Sequence, residues 1–493
     1  MDFLSLTFAV FFIVSVFVYY AVPKKLCWGV LLISSLIFYV WSVPYLIVYL
    51  LFSTVTTYFY GKWAENHKNQ GKAVLALVIC ANLAVLLILK FYPLCEVRLG
   101  FPALKLLMPM GVSFYTLQVI AYCVDVYRGK TESQNHFLKY LLFVSFFPQI
   151  LQGPIPRYAQ LAEQLYTGNK FKFQNIRRGA LMILWGFAKK LILSERLSVF
   201  INEIYSNYTQ YEGVIFAIAT AAFSIQIYAD FSGCMDIARG TARLFGVELP
   251  KNFIQPYFSK TMPEFWRRWH ATLGSWFRDY VFFPFSVSKA SLKLNKKARD
   301  LMGNEAGRIV AATMPILVVW MLTGIWHGSE WKYVAWGLFH GILIMGSTIF
   351  TPHFDRLSEK LKIKRDCFSF RFYQMARTFF LCCVGRVFFR ADSFGAALVI
   401  FKRSLQTTGL YLVMDGKFYT YGLNQANWVV VIVFMVVWLI ISKIAEENDV
   451  LEVFEKQNVW FRWIVIYALF FAVLVFGKYG PGYQVADFIY EQF

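Results

Sequence analysis

The stretch Ile309-Val310-Ala311-Ala312-Thr313-Met314-Pro315-Ile316-Leu317-Val318-Val319-Trp320-Met321-Leu322-Thr323-Gly324-Ile325-Trp326-His327-Gly328 decides the architecture. It carries no acidic, lysine or arginine side chain and comes close to the ~20 apolar residues that a helix needs to cross a hydrocarbon core of ~30 Å. A second apolar run, 331–350, begins only a few residues later. Similar runs recur along the chain, including 3–20, 106–125, 138–152, 179–193, 213–229, 371–389, 427–443 and 460–477. The sequence of 493 residues is 58% hydrophobic, 19% aromatic and only 16% charged, which excludes an ordinary soluble domain. The expected fold is therefore all-α, a polytopic membrane helical bundle of about eleven crossings.

Two runs are interrupted, the one holding Pro109 and Gly111 and the one holding Pro148, Gln149 and Gly153. Irregular backbone at membrane depth needs protein or a water-filled cavity around it, so both segments are expected to be re-entrant or buried. The first run has no basic residue before it and no small-residue cleavage site before Pro23, and it reads as a retained helix. Lys24 and Lys25 follow it, and Lys62, Lys68 and Lys72 come two runs later on the same side, which predicts an N-terminus outside.

Lysine and arginine number 49 against 29 acidic residues, a formal net charge of +20. Much of the excess lies between Lys289 and Arg308 and between Arg356 and Arg377, where it suits contact with an anionic lipid bilayer surface better than recognition of an anionic ligand. Nucleic acid is not an expected partner. None of the eight cysteines falls in a C-x-x-C pair or a Cys/His metal spacing, so no metal site is expected. No P-loop or dinucleotide-binding glycine pattern is present either.

An ionisable side chain within an apolar run is a functional hypothesis by default, and polar-rich segments single themselves out on that ground. Asp230, Ser232 and Asp236 stand at the end of the run 213–229, where paired carboxylates suit acid–base work and Asp230 equally suits capping or an interface. Thr261 and Glu264 fit a capping box, with Pro263 tolerated in the first turn. From there, at about 100° per residue, Phe265, Trp269, Leu273, Trp276 and Tyr280 share one stripe with Trp266, His270 and Phe277 along its edge. Arg267 and Arg268 point elsewhere, and the pattern predicts one amphipathic helix in the interface plane, with His270 either functional or merely bordering an aromatic face. His327 lies between Gly324 and Gly328, whose small size would let a substrate approach closely. Its imidazole suits a general base at neutral pH, and a packed, hydrogen-bonded histidine is the alternative.

Together these segments resemble the membrane-bound O-acyltransferase (MBOAT) family, in its bacterial alginate O-acetylation and D-alanyl transferase branch. The resemblance rests on Pro109 to Arg128, Gly153-Pro154-Ile155 with Arg157, Asp230-Phe231-Ser232-Gly233, Asn252-Phe253 with Pro256-Tyr257, Phe265 to His270 continuing to Arg278-Asp279-Tyr280, Gly324 to Gly328, and Phe388-Phe389-Arg390-Ala391. It implies a ring of helices around a central funnel or tunnel. The whole chain, 1–493, would form a single integral membrane domain with N-terminal spans to residue 100, a motif-bearing catalytic core over 101–391 and further spans over 392–493.

The resemblance further implies that His327 is catalytic and His270 supports it, while Trp326, Asp230, Ser232, Arg267 and Arg268 are candidates for substrate or tunnel contacts. The donor would be acetyl-CoA, with no permanently bound cofactor. An extracytoplasmic SGNH-type or related acyltransferase partner would complete transfer to a polysaccharide acceptor at a bacterial cell membrane. Two other readings stay open: D-alanyl transfer from a carrier-protein thioester to teichoic acid, and a small-molecule transporter, whose broken helices and midplane polar groups look similar.

Overall fold

The computed structural model describes residues 5–42, 44–67, 71–99, 102, 108–150, 152–414 and 416–479. Among them every regular element is a helix. Seven helices are long and apolar enough to cross a membrane: Lys24–Trp41, Gly71–Glu96, Val214–Leu244, Asn304–His327, Trp331–Lys360, Gln425–Glu447 and Val459–Phe476. The multi-pass bundle is thus as expected, with fewer full-length crossings than eleven among the described residues. Leu6–Ala21 and Val112–Tyr127 are apolar but shorter. The run 138–152 breaks at Phe146 between the helices Phe137–Ser145 and Phe147–Ile150. The run 371–389 lies in the helix Phe368–Arg390, whose Arg371, Arg377, Arg386 and Arg390 raise its polarity. The helix Gln425–Glu447 exposes Val429, Ile432, Val433, Val436, Val437 and Ile440, an apolar outer face suited to lipid rather than water.

The described residues divide into two compact units, 5–186 with 234–251, and 187–233 with 252–479. In the first, Gly111 at φ 70° opens the helix Val112–Tyr127. The two polar segments noted from sequence meet here, because Gln118 Nε2 and Gln149 Nε2 both donate to the Phe143 carbonyl, at 2.9 and 3.1 Å. That carbonyl stands near the helix break at Phe146, so two buried amides serve a group that a continuing helix would have satisfied. The part of this region before Met108, and Leu151, lie outside the described residues.

In the second unit the helices Asn304–His327 and Trp331–Lys360 form a tight hairpin. A Cβ at Gly337 would stand 2.3 Å from the Trp320 carbonyl oxygen, and one at Gly324 would stand 2.5 Å from that of Tyr333. Small residues let the two backbones touch, which is how helices gain contact where no hydrophobic force drives them together. Lys289 to Met302 forms an amphipathic helix, capped by Ser288, that buries Ser291 and Ala298 and exposes Leu292, Leu301 and Met302. This basic helix has the composition of an element lying in the membrane interface.

Candidate functional site

Thr261 accepts the Glu264 amide at 3.2 Å and the helix starts where the sequence predicts, although Glu264 takes the Lys260 amide at 2.9 Å, one residue before the Thr261 amide that a capping box would use. The helix itself is shorter than expected. It spans Met262–Arg268, Trp269 turns extended, His270 takes a left-handed conformation at φ 46° and ψ 50°, and a new helix runs Ala271–Phe277. The single stripe from Phe265 to Tyr280 is therefore cut in the middle. What overrides the periodicity is Asn252: its carbonyl accepts the Ala271 amide at 2.9 Å, and its Oδ1 takes the Thr272 amide at 3.2 Å and the Thr272 hydroxyl at 2.9 Å. The same Oδ1 lies 3.0 Å from His270 Nδ1. A non-glycine residue held in this backbone region is strained, and such positions cluster at functional sites. His270 is 3% exposed, and burial, which disfavours the charged ring, lowers its pKa to about 3.

His327 is the last residue of its helix and 2% exposed. Trp326 at 4.9 Å, Trp336 at 4.9 Å and Phe389 at 5.4 Å surround its ring, all edge to face. Trp326 lies 6.3 Å from His270, so one indole stands next to both histidines. The flanking glycines do something other than open space for a substrate. Gly324 faces the Tyr333 backbone and Gly328 faces the Tyr333 ring, where a Cβ would come within 2.4 Å, so both are explained by helix packing. The Gly328 amide donates to the Gly324 carbonyl at 3.3 Å.

Asp230 and Ser232 sit inside the helix Val214–Leu244 rather than at the end of an apolar run. The second carboxylate, Asp236, is six residues further along, so the two do not share a helix face. Asp230 is instead drawn into a buried network: Lys190 Nζ stands 2.8 Å from both Asp230 and Glu195, all three 1% exposed, and the Ser194 hydroxyl adds a bond to Asp230 at 3.2 Å. Lys189 donates to the Ser232 hydroxyl at 2.9 Å. Both lysines belong to a π-helix, Ala188–Ser194, a geometry found frequently at functional sites. Lys189, Lys190 and Glu195 were missed in the sequence, although two lysines within the run 179–193 are the ionisable signal to look for. Arg268 pairs with Glu264 at 2.7 Å and Glu446 at 3.4 Å, whereas Arg267 is exposed.

Two more residues of this centre were not anticipated. His340 is 1% exposed, 4.8 Å from Trp266 and 5.3 Å from Trp336. Arg386 is 2% exposed, with its guanidinium 4.2 Å from the centre of the Trp269 ring. A desolvated cation–π contact contributes about 2 kcal/mol, while removing an ion from water costs several, so this contact alone does not compensate the burial. Nearby, a cavity of about 250 Å³ is walled mainly by apolar and aromatic groups, among them Tyr228, Tyr257, Phe258, Phe379 and Trp438.

The fold defines a multi-pass membrane protein in which two histidines, His270 and His327, are buried next to one indole. Residues 133–386, more than half of the chain, match the model of MBOAT, the membrane-bound O-acyltransferase family, and the protein belongs to that family. It is an O-acyltransferase. A probable alginate O-acetylase of Pseudomonas syringae is 28% identical, covering 74% of this chain and 68% of its own. A peptidoglycan O-acetyltransferase of Helicobacter pylori is 29% identical, over 80% of this chain and 77% of its own. A teichoic acid D-alanyltransferase of Bacillus subtilis is 27% identical, over 58% and 70%.

Proposed function

We propose that this O-acyltransferase takes an acetyl group from cytoplasmic acetyl-CoA and passes it across a bacterial cytoplasmic membrane toward a cell-envelope polysaccharide. A separate extracytoplasmic acyltransferase of the SGNH or a related type completes the transfer, and the N-terminus lies outside. The polymer class is supported by the relatives, named for alginate, peptidoglycan and teichoic acid. Acetyl is favoured over D-alanyl because the O-acetylating relatives match 74% and 80% of this chain, against 58% for the teichoic acid enzyme.

The observation that carries the reading is the burial of His327 among Trp326, Trp336 and Phe389, with His270 next to the same indole. In the proposed step an acceptor hydroxyl attacks the thioester carbonyl, His327 takes the hydroxyl proton, and the collapsing intermediate expels the thiolate, which recovers that proton. His270 acts as a positioning residue beside it. Aromatic walls exclude water, which limits hydrolysis of the thioester. The test is sealed, oriented vesicles with labelled acetyl-CoA on one face and an acceptor-bearing partner on the other. Label should cross only when the donor is on the cytoplasmic face; transfer that requires donor and acceptor on the same outer face would overturn the topology.

A further inference from the structure

We propose that Arg386 holds the negatively polarised carbonyl oxygen of the acyl donor, supplying the positive charge that the transfer step needs. The inference rests on the acyl-transfer reading above and names a residue for the part of the reaction that the histidines leave unassigned. Arg386 is 2% exposed, its Nη2 has no hydrogen-bond partner, and no acidic side chain pairs with it among the described residues. Its guanidinium stands 4.2 Å from the centre of the Trp269 ring, the residue directly before His270. Three residues along the same helix, Phe389 packs against His327 at 5.4 Å. Residues at this spacing lie on one helix face, so Arg386 reaches toward the surroundings of both histidines.

A guanidinium buried without a counter-charge is costly to keep, and its orphaned donor is satisfied when an oxygen acceptor arrives. The chemistry of the walls selects the kind of acceptor. Trp269, Tyr257, Cys382 and His340 stand around Arg386 and bring no carboxylate to it, and Tyr257, which lines the apolar cavity, lies 6.2 Å from the Trp269 ring. An ionised carboxylate or phosphate would have to shed its hydration before arriving here. A neutral thioester enters at little cost and develops charge only once it is in place. As the acceptor oxygen bonds to the carbonyl carbon, the C=O π electrons move to the oxygen beside Arg386. When the C–S bond breaks they return, the thiolate leaves with the electron pair, and Arg386 stays protonated throughout.

The experiment measures thiol release and acyl transfer from labelled acetyl-CoA by the full-length protein with its acceptor, for wild type, Arg386→Met and Arg386→Lys. Removing the charge should lower kcat by about 100- to 1,000-fold, the usual effect of losing one such donor, with KM changed less than about threefold. Arg386→Lys, which keeps the charge without the planar fork, should recover part of the loss. If Arg386→Met does not fold by its thermal midpoint, Arg386→Lys decides alone, with an unchanged KM and a lowered kcat supporting the assignment. Unchanged kcat in a folded variant, or a loss confined to KM, would overturn it. A wild type that neither transfers nor releases the acyl group would instead refute the acetyl-CoA reading itself.

Discussion

Asn252 fixes the protonation pattern of His270. Its Oδ1 accepts the Thr272 amide and therefore is the acceptor toward His270 Nδ1, 3.0 Å away, so Nδ1 carries the ring proton and the lone pair of the neutral imidazole is on Nε2. The same oxygen serves the Thr272 hydroxyl, and one buried amide thus holds the left-handed turn, the tautomer and the start of the next helix. Asn252→Ala should destabilise the protein by about 2–4 kcal/mol, since buried donors lose their acceptor, and should lower transfer more than binding. Thermal unfolding and steady-state kinetics on the same preparation check both effects.

The burial of His270 also predicts a pH dependence of stability. Its pKa is about 3 in the folded chain and near 6.5 when exposed. Between those values the unfolded chain binds the extra proton, so this residue lowers stability as pH falls from about 6.5 toward 3 and has no such effect above. The thermal midpoint of wild type should fall more steeply on acidification than that of His270→Gln. Equal slopes would mean that His270 is solvated. His270→Ala should also impair transfer, less severely than loss of His327.

Lys190 balances two buried carboxylates, and removing it leaves Asp230 and Glu195 uncompensated. Lys190→Met should cost about 3–5 kcal/mol, whereas neutralising all three with Met, Asn and Gln should cost markedly less. Urea or thermal melts of the single and triple variants distinguish a network that needs its charges from one that needs only their balance.

The glycine seam between the two hairpin helices gives a steric prediction. Gly337→Ala would place a methyl group 2.3 Å from the Trp320 carbonyl oxygen, which forces the backbones apart and shifts Trp336 against His327. Gly346→Ala, where the nearest contact is 4.0 Å away, should be nearly silent. Activity and melting of the pair read the difference, and an active, stable Gly337→Ala would contradict the packing.

The membrane class and helical fold were legible because long apolar runs have few alternative explanations, and the capping box at Thr261 and Glu264 located a helix start correctly. Periodicity predicts one helix through His270 because it is a local signal, while Asn252, 18 residues earlier, terminates the helix there. Gly324 and Gly328 suggested room for substrate, yet they answer to Tyr333 across the hairpin. Lys189 and Lys190 carried a signal in plain view, hidden by the apolar average of the run around them. Arg386 and His340 carry the same ionisable signal within the runs 371–389 and 331–350, but only packing shows that they face Trp269 and Trp266.

The proposed role of His327 is to accept the hydroxyl proton during acyl transfer. Its most direct test is single-turnover transfer from labelled acetyl-CoA by His327→Ala, in preparations whose melting matches wild type. Label is expected to stay on the donor while the folded protein still binds it. Transfer at the wild-type rate would remove His327 from the chemistry and leave its aromatic enclosure as packing alone.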